Sequence, residues 1–411
     1  MDSVGPIDTV TRINGRVLDY LDSFDAIIDF AEQEAVDVAF FTGDLFHTNS
    51  PTPQILNEAS KRLTRLAAIC PVVMLVGNHD ISRMDKPSSV EVYNTLAVPN
   101  IHVGNAYELL DIQTKSGMLT VGTLPYPTRQ ILGDDIRNRP VEKTQELIRA
   151  KMSGIIKAMV EQTSEDVPNV LLGHFTVNGA TSGAESSMNM FSDATVNLED
   201  LVDPCWSYVA LGHIHKFQEL NADPPVVYAG SIERVSFNEE HEDKGFIYGV
   251  ITDAGYPATW EFVQLDARPY VTLSKNILKG DPTKIMLDLI KQRTLKDAVV
   301  RILVKMPAEL RFKLDVEAIQ EAVMAAGAYT ISSCHIDARS DSMLRVSKDD
   351  FHPGMTPMEL LKVYFEQVLD VSESEEASLV SLAESMMSEE VDYEPPKSET
   401  EEPVRKLRRR E

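Results

Sequence analysis

Four apolar runs in this chain end in a glycine followed closely by side chains able to bind a metal: VDVAFFTGDLFH at 36–47 offers Asp44, VVMLVGNHD at 72–80 offers Asn78, NVLLGHF at 169–175 offers His174, and YVALGHIH at 208–215 offers His213 and His215. Divalent cations such as Mn²⁺ accept carboxylate, amide oxygen and imidazole together, and a carboxylate can bridge two of them. Two ions about 3.5 to 4 Å apart can activate a water and hold a phosphate for in-line displacement. In His213-Ile214-His215 the strand period of two predicts both imidazoles on one side, within reach of adjacent ions. His79, one residue after Asn78, points elsewhere and is the candidate general acid for a leaving oxygen. A single histidine at a strand end is more often a structural residue than a ligand, and a Gly-Asp pair alone is often a turn. Such clusters at four strand ends are hard to explain that way. His47, His102, His241, His335 and His352 lack the setting and read as surface or structural residues, although His47 stands three positions after Asp44.

The elements that must position these groups follow from hydrophobic spacing. Met1 to Gly15 reads as a loop. Val17, Leu18, Leu21, Phe24, Ile28, Ala31 and Ala35 predict an amphipathic helix, and Pro53 opens a second with Ile55, Leu56, Ala59, Leu63 and Leu66 inward. Each leads into a buried strand, ending at Asp44 and Val76. A short helix over Ser88–Leu96, strands at Ile101–Val103 and Leu119–Leu124, and a longer helix over Val141–Val160 come next. Alternating strands and helices predict parallel neighbours in a helix-covered sheet, with ligands at the strands' C-terminal edge. Thr176 to Ser192 reads as a long polar loop beside the site, and the short strands from Trp206 to Gln264 as the second sheet of a sandwich. Beyond a boundary at Asp266–Pro269, strands at Tyr270–Leu273, Ala298–Val304 and Tyr329–Ile336 alternate with helices at Pro282–Arg293 and Asp315–Ala326, enough for a small α+β domain. Thr356-Pro357-Met358-Glu359 carries a capping box and starts a helix, a second helix spans Ser374–Met387, and the charged run from Ser388 reads as disordered.

With 411 residues, 43% hydrophobic and 25% charged, the composition is that of a globular protein of two or three domains. No run approaches the roughly 20 apolar residues of a membrane span, and Met1–Tyr20 lacks the pattern of a signal peptide, so the expected location is the cytoplasm. Cys70, Cys205 and Cys334, few and widely spaced, are expected to be buried reduced thiols. A net charge of -25 argues against a protein that coats nucleic acid, since phosphate binding is mainly a Lys/Arg effect. It does not argue against a nuclease: bound cations reverse the local field, and residues 268–348 hold about 14 Lys/Arg against about 9 Asp/Glu, an excess of about +5.

Gly43-Asp44, GNHD at 77–80, Gly173-His174 and GHIH at 212–215, in this order and spacing, resemble the calcineurin-like metallophosphoesterase family. Within it GDLFH, YAGSIERVSF at 228–237, the basic module and the C-terminal helices resemble the SbcD type, and the resemblance covers about residues 5 to 385. It implies an α/β (α+β) fold, a four-layer αββα metallophosphoesterase sandwich with a small α+β capping domain and C-terminal helices. The division it implies is 1–266 for the nuclease domain, 267–345 for a DNA-contacting cap, 346–388 for a helical segment that docks on an SbcC-type ATPase, and 389–411 for a disordered tail. The activity it implies is Mn²⁺-dependent exonuclease and endonuclease cleavage of DNA ends and hairpins in repair, recombination and replication, with Mg²⁺ as the alternative ion, in a heterotetramer holding a nuclease dimer. By motif, Asp44 is the bridging ligand, Asn78, His174 and His213 complete one metal site, His215 serves the other, and His79 assists the leaving group.

The family also begins with a strand ending in Asp-x-His, which supplies two ligands to the ion bound by His215. The Asp-x-His here is Asp350-Phe351-His352, which has no buried strand before it, precedes Pro353-Gly354 and reads as a loop. One site then has its four ligands and the other only Asp44 and His215. The missing strand is an inner one, so its neighbours are expected to show unpaired edges and apolar surface. The expected explanation is a natural chain that is longer; the alternative is a chain that has lost two-metal hydrolysis. The expected function is a nuclease subunit, the alternatives a small-substrate metallophosphatase or phosphodiesterase and a non-catalytic binding subunit.

Overall fold

The computed structural model describes residues 5–81, 88–128, 131, 141–181, 195–339 and 379–380. Asn14 caps the first helix, α1 (Gly15–Gln33), its side chain accepting the Arg16 N–H that the first turn leaves without an intrahelical partner. The three-and-four spacing then buries Leu21, Phe24, Ile28 and Ala31 on one face. Thr52 caps α2 (Pro53–Ala67) by accepting the Ile55 N–H, with Pro53 where no donor is required. Across the outer surface Arg62 of α2 pairs with Asp25 of α1 at 2.6 Å.

Strands β1 (Ala39–Phe41), β2 (Val72–Leu75) and β3 (Ile101–Gly104) pair in parallel in that order, with a four-residue helix, α3 (Val92–Thr95), before the third. The chain then makes β4 (Glu108–Gln113), β5 (Met118–Leu124), α4 (Val141–Val160), β6 (Asn169–His174), the two-residue strands β7 (Thr176–Val177) and β8 (Thr195–Val196), α5 (Leu198–Leu201), β9 (Tyr208–Gly212), β10 (Gln218–Ala222) and β11 (Pro225–Tyr228). Six of these form a second sheet in the order β10-β11-β9-β6-β5-β4, while β7 pairs with β8.

Alternation along β2 sends Val72 and Met74 into a core with Phe24 and Ile28 of α1 and Leu63 and Leu66 of α2. It sends Val73 and Leu75 into a second core with Val121, Val170, Leu172 and Val227 of the six-stranded sheet. On that sheet's other face Leu171, Val209 and Leu211 pack on Ile148, Met152, Ile156 and Met159 of α4. Helices, sheet, sheet, helix are therefore four layers, αββα, as the resemblance implies. Each fully buried aliphatic side chain, such as Ile28 or Leu63, contributes about 1.5 to 3 kcal/mol to holding the layers together.

Two expectations about strands need correcting. Trp206 to Gln264 does not make a sheet of its own: β9 joins β6 in parallel and β11 and β10 extend the sheet begun by β4 to β6, while β12 (Gly245–Val250) and β13 (Thr259–Gln264) pair with each other. β1 is half-buried rather than buried. Among the described strands it pairs only with β2, and β12 only with β13. Residues of both line a cavity of about 1020 Å³ walled by Phe40, Phe41, Phe246, Ile247 and Tyr248. Among the described strands, β1 and β12 therefore each have one open edge. Cys70 is buried, but Cys205 and Cys334 are only half-buried.

A three-residue 3₁₀ turn follows at Phe237–Glu239, and the last described elements are β14 (Tyr270–Asn276), α6 (Pro282–Lys291), β15 (Val299–Pro307), α7 (Val316–Ala325) and β16 (Thr330–Arg339), with the sheet order β14-β15-β16. The chain divides into two compact units, one of residues 1–275, 283–304 and 315–335, the other of 276–282, 305–314 and 336–411. The helices expected over 356–387 lie outside the described residues except for Leu379 and Val380, as do Asp350-Phe351-His352, the tail and 182–192 of the polar loop. Among the described residues no helix is long and apolar enough to cross a membrane.

Candidate metal centre

Four strands deliver the candidate ligands. Asp44 and Asn78 lie three residues beyond β1 and β2, His174 is the last residue of β6, and His213 follows the last residue of β9. The glycines in these motifs have a packing reason. A Cβ on Gly77 would lie 2.1 Å from Asp44 Oδ1 and 2.4 Å from the Asp44 nitrogen, and one on Gly212 would lie 2.0 Å from the Thr42 carbonyl oxygen. Only chains without a side chain at these points can close on one another this tightly.

The backbone is held in uncommon conformations where it matters. Asp44 has φ 55° and His213 φ 88°, in the left-handed region that side chains with a Cβ seldom occupy. Such strain costs on the order of 1 to 3 kcal/mol and persists where packing over-determines it. It also corrects one step of the sequence reasoning. β9 stops at Gly212, and the turn at His213 removes the strand alternation that was to bring His213 and His215 to one face.

The side chains of Asp44, Asn78, His174 and His213 converge. His174 Nδ1 faces the Thr42 carbonyl, which can only accept, so this nitrogen donates and Nε2 is turned to the centre. Nε2 lies 3.0 Å from Asn78 Oδ1 and 3.2 Å from Asp44 Oδ2. His213 Nδ1 lies 2.9 Å from the same Asn78 oxygen. One potential ligand atom from each of Asp44, His174 and His213 falls within 4.8 Å of the others. Lone pairs aimed into one small space need a positive charge among them. Burial works against charge on either partner, yet His174 holds the Asp44 carboxyl down at about 2, and Asp44 lifts the buried His174 imidazole above its ordinary range. A carboxylate, an amide oxygen and two imidazoles, with both histidines buried, fit a divalent cation in that position.

His215 and His79 line the same cavity as Asp44, His174 and His213 but stand outside the close group. The His79 N–H donates to Asp44 Oδ1 at 2.8 Å, while its imidazole turns away, Nδ1 lying 2.9 Å from the His47 carbonyl and the two rings stacking at 5.3 Å. His215 Nδ1 lies 3.1 Å from Glu239 Oε1.

Three contributors escaped the sequence reading. Asp80 is fully buried, and its Oδ2 accepts the N–H groups of both Asp44 and Gly77 at 2.9 Å, tying the first two loops together. Burial, with the nearby Asp44 charge, raises its carboxyl to about 6 in spite of the Gly77 donor. Its signal was its place at the end of GNHD. His47 is exposed but braces His79 through its ring and carbonyl, and its only signal was proximity to Asp44. Tyr126 sets its ring 6.2 Å from that of His174 and 5.7 Å from that of His213, and nothing in LPYP marked it.

Residues 17–217 match the sequence model of the calcineurin-like phosphoesterase family. Among curated proteins, the SbcD component of the nuclease SbcCD of Staphylococcus epidermidis is 25% identical over 219 residues, which are 52% of this chain and 55% of that protein. The chain thus matches about half the length of this relative. With an αββα sandwich and a centre of carboxylate, amide and imidazoles at the strand ends already in place, residues 17–217 match a calcineurin-like phosphoesterase domain, and the chain is similar to the SbcD type.

Proposed function

We propose that this chain is the nuclease subunit of a DNA-processing complex, a metal-dependent phosphodiesterase that acts on double-stranded ends and hairpins with an SbcC-type ATPase. The observation that carries the reading is the convergence of Asp44, Asn78, His174 and His213 at the ends of strands from two packed sheets. The similarity to a component of a nuclease supports DNA as the substrate. Asp44, Asn78, His174 and His213 would hold one ion, Mn²⁺ or in its place Mg²⁺, and His215 would serve a second. A divalent ion there supplies positive charge to a phosphate and lowers the pKa of a water.

The chain's own groups do the rest. Asp80 fixes the loops that carry Asp44 and Asn78. His79 donates Nδ1 to the His47 carbonyl, so Nε2 is the atom that exchanges a proton with the leaving oxygen. The basic stretch 268–348 makes the phosphate contacts that the acidic remainder cannot, and 346–388 docks on the ATPase. The division 1–266, 267–345, 346–388 and 389–411, a cytoplasmic location and assembly as a heterotetramer around a nuclease dimer belong to the same reading.

The test compares cleavage of blunt and hairpin duplex DNA with hydrolysis of bis(4-nitrophenyl) phosphate in Mn²⁺, with and without an SbcC-type ATPase and ATP. The expected result is DNA cleavage that is weak for the chain alone, rises with the ATPase and is lost in Asp44→Ala. Preferential hydrolysis of the small ester, indifferent to the ATPase, would contradict it.

A further inference from the structure

His215 is held from two directions by one short stretch of sequence, Ser236 to Lys244. The 3₁₀ turn Phe237–Glu239 is capped by Ser236, whose side chain accepts the Asn238 N–H, and it places Glu239 wholly inside the protein. Glu239 Oε1 meets His215 Nδ1 at 3.1 Å, and Oε2 accepts the Val235 N–H at 3.0 Å and an ion pair from Lys244 Nζ at 2.7 Å. Lys244 is itself buried and also donates to the His215 carbonyl at 3.0 Å. A buried carboxylate with a buried ammonium beside it is retained at a desolvation cost, and a structural pair alone has no reason to touch both the ring and the backbone of one histidine.

We infer that Glu239 is a positioning residue for His215, its carboxylate accepting from Nδ1 and thereby fixing the tautomer in which Nε2 carries the lone pair, with Lys244 locking both partners. An ionised carboxylate can only accept, so the nitrogen facing it must donate. The other nitrogen is then the one that carries the lone pair, the arrangement by which outer carboxylates orient metal-binding imidazoles. The inference rests on the reading of His215 as a site residue, but its first test does not need a metal.

Long-range ¹H–¹⁵N NMR of the imidazoles, on the full chain without metal at pH 8, reads the tautomer directly. The expected result is His215 protonated at Nδ1 in the wild type and a mixture or the opposite tautomer in Glu239→Leu/Lys244→Met, which removes both charges together so that neither is left buried alone. Glu239→Gln, which keeps an acceptor oxygen, is expected to retain the wild-type tautomer. Mn²⁺ titration supplies the second readout. The charge-free double variant should weaken the response that His215→Ala also weakens, by about 10- to 100-fold, and should add nothing in a His215→Ala background. A wild-type tautomer in the double variant, or losses that add to those of His215→Ala, would overturn the inference. Absence of any Mn²⁺ response in the wild type would instead count against the metal reading, while the tautomer measurement would still decide the role of Glu239.

Discussion

Asp44 is defined by what touches it: the His174 imidazole at 3.2 Å on one carboxylate oxygen, the His79 N–H at 2.8 Å on the other, and Asp80 accepting its own N–H. The tightness of that arrangement makes the glycines beside it the most sensitive positions. Gly77→Ala is expected to lower Mn²⁺ affinity by at least about 10-fold with the circular dichroism spectrum retained, because the added methyl must displace Asp44; an unchanged titration would show that the loops have room to move. A buried thiol tests the interior in another way. Burial pushes the Cys70 thiol up to about 11, so the protonated form is favoured throughout the neutral range and reactivity rises only as pH approaches that value. At pH 8 about one molecule in a thousand carries the thiolate. Iodoacetamide should therefore leave Cys70 unmodified in the native chain and alkylate it fully in urea, as mass spectrometry would show; rapid native labelling at pH 8 would contradict the burial.

At the scale of elements, the helices and most strands were legible because period and punctuation agree: Asn14 and Thr52 cap helices whose apolar faces recur at three and four residues, and the long helix over Val141–Val160 is found at its predicted bounds. β4 was missed because ELLDIQ lies at the sheet's edge and buries only Ile112, so it carries little alternation. The merging of β9 to β11 with β6 was illegible for a different reason, since pairing between distant strands leaves no local signal. The same holds for the contact between α1 and the 231–234 loop, where buried Arg16 meets buried Glu233 at 3.0 Å and donates to the Arg234 carbonyl. The Glu233 carboxyl is pushed up by burial and held back by Arg16. Arg16→Met leaves that carboxyl buried without its charged partner and should cost about 3 to 5 kcal/mol in urea unfolding, with part of the loss recovered in Arg16→Met/Glu233→Gln. A single variant as stable as the wild type would show that the pair does not tie the two segments together.

For the whole molecule, a chain of net charge -25 folds its ligands to one end of a sandwich, where cations can offset the acidic field that would otherwise repel a polyanion. Its motifs supply Asp44, Asn78, His174 and His213 around one position, while His215 stands apart against Glu239. The ligand set predicts an unequal capacity for metal. The direct measurement is the number of Mn²⁺ ions held by the purified 411-residue chain after desalting, by elemental analysis alongside titration. A single tight ion, lost in Asp44→Ala and in His174→Ala, is the result expected; two equally tight ions, or none, would contradict the centre described for this protein.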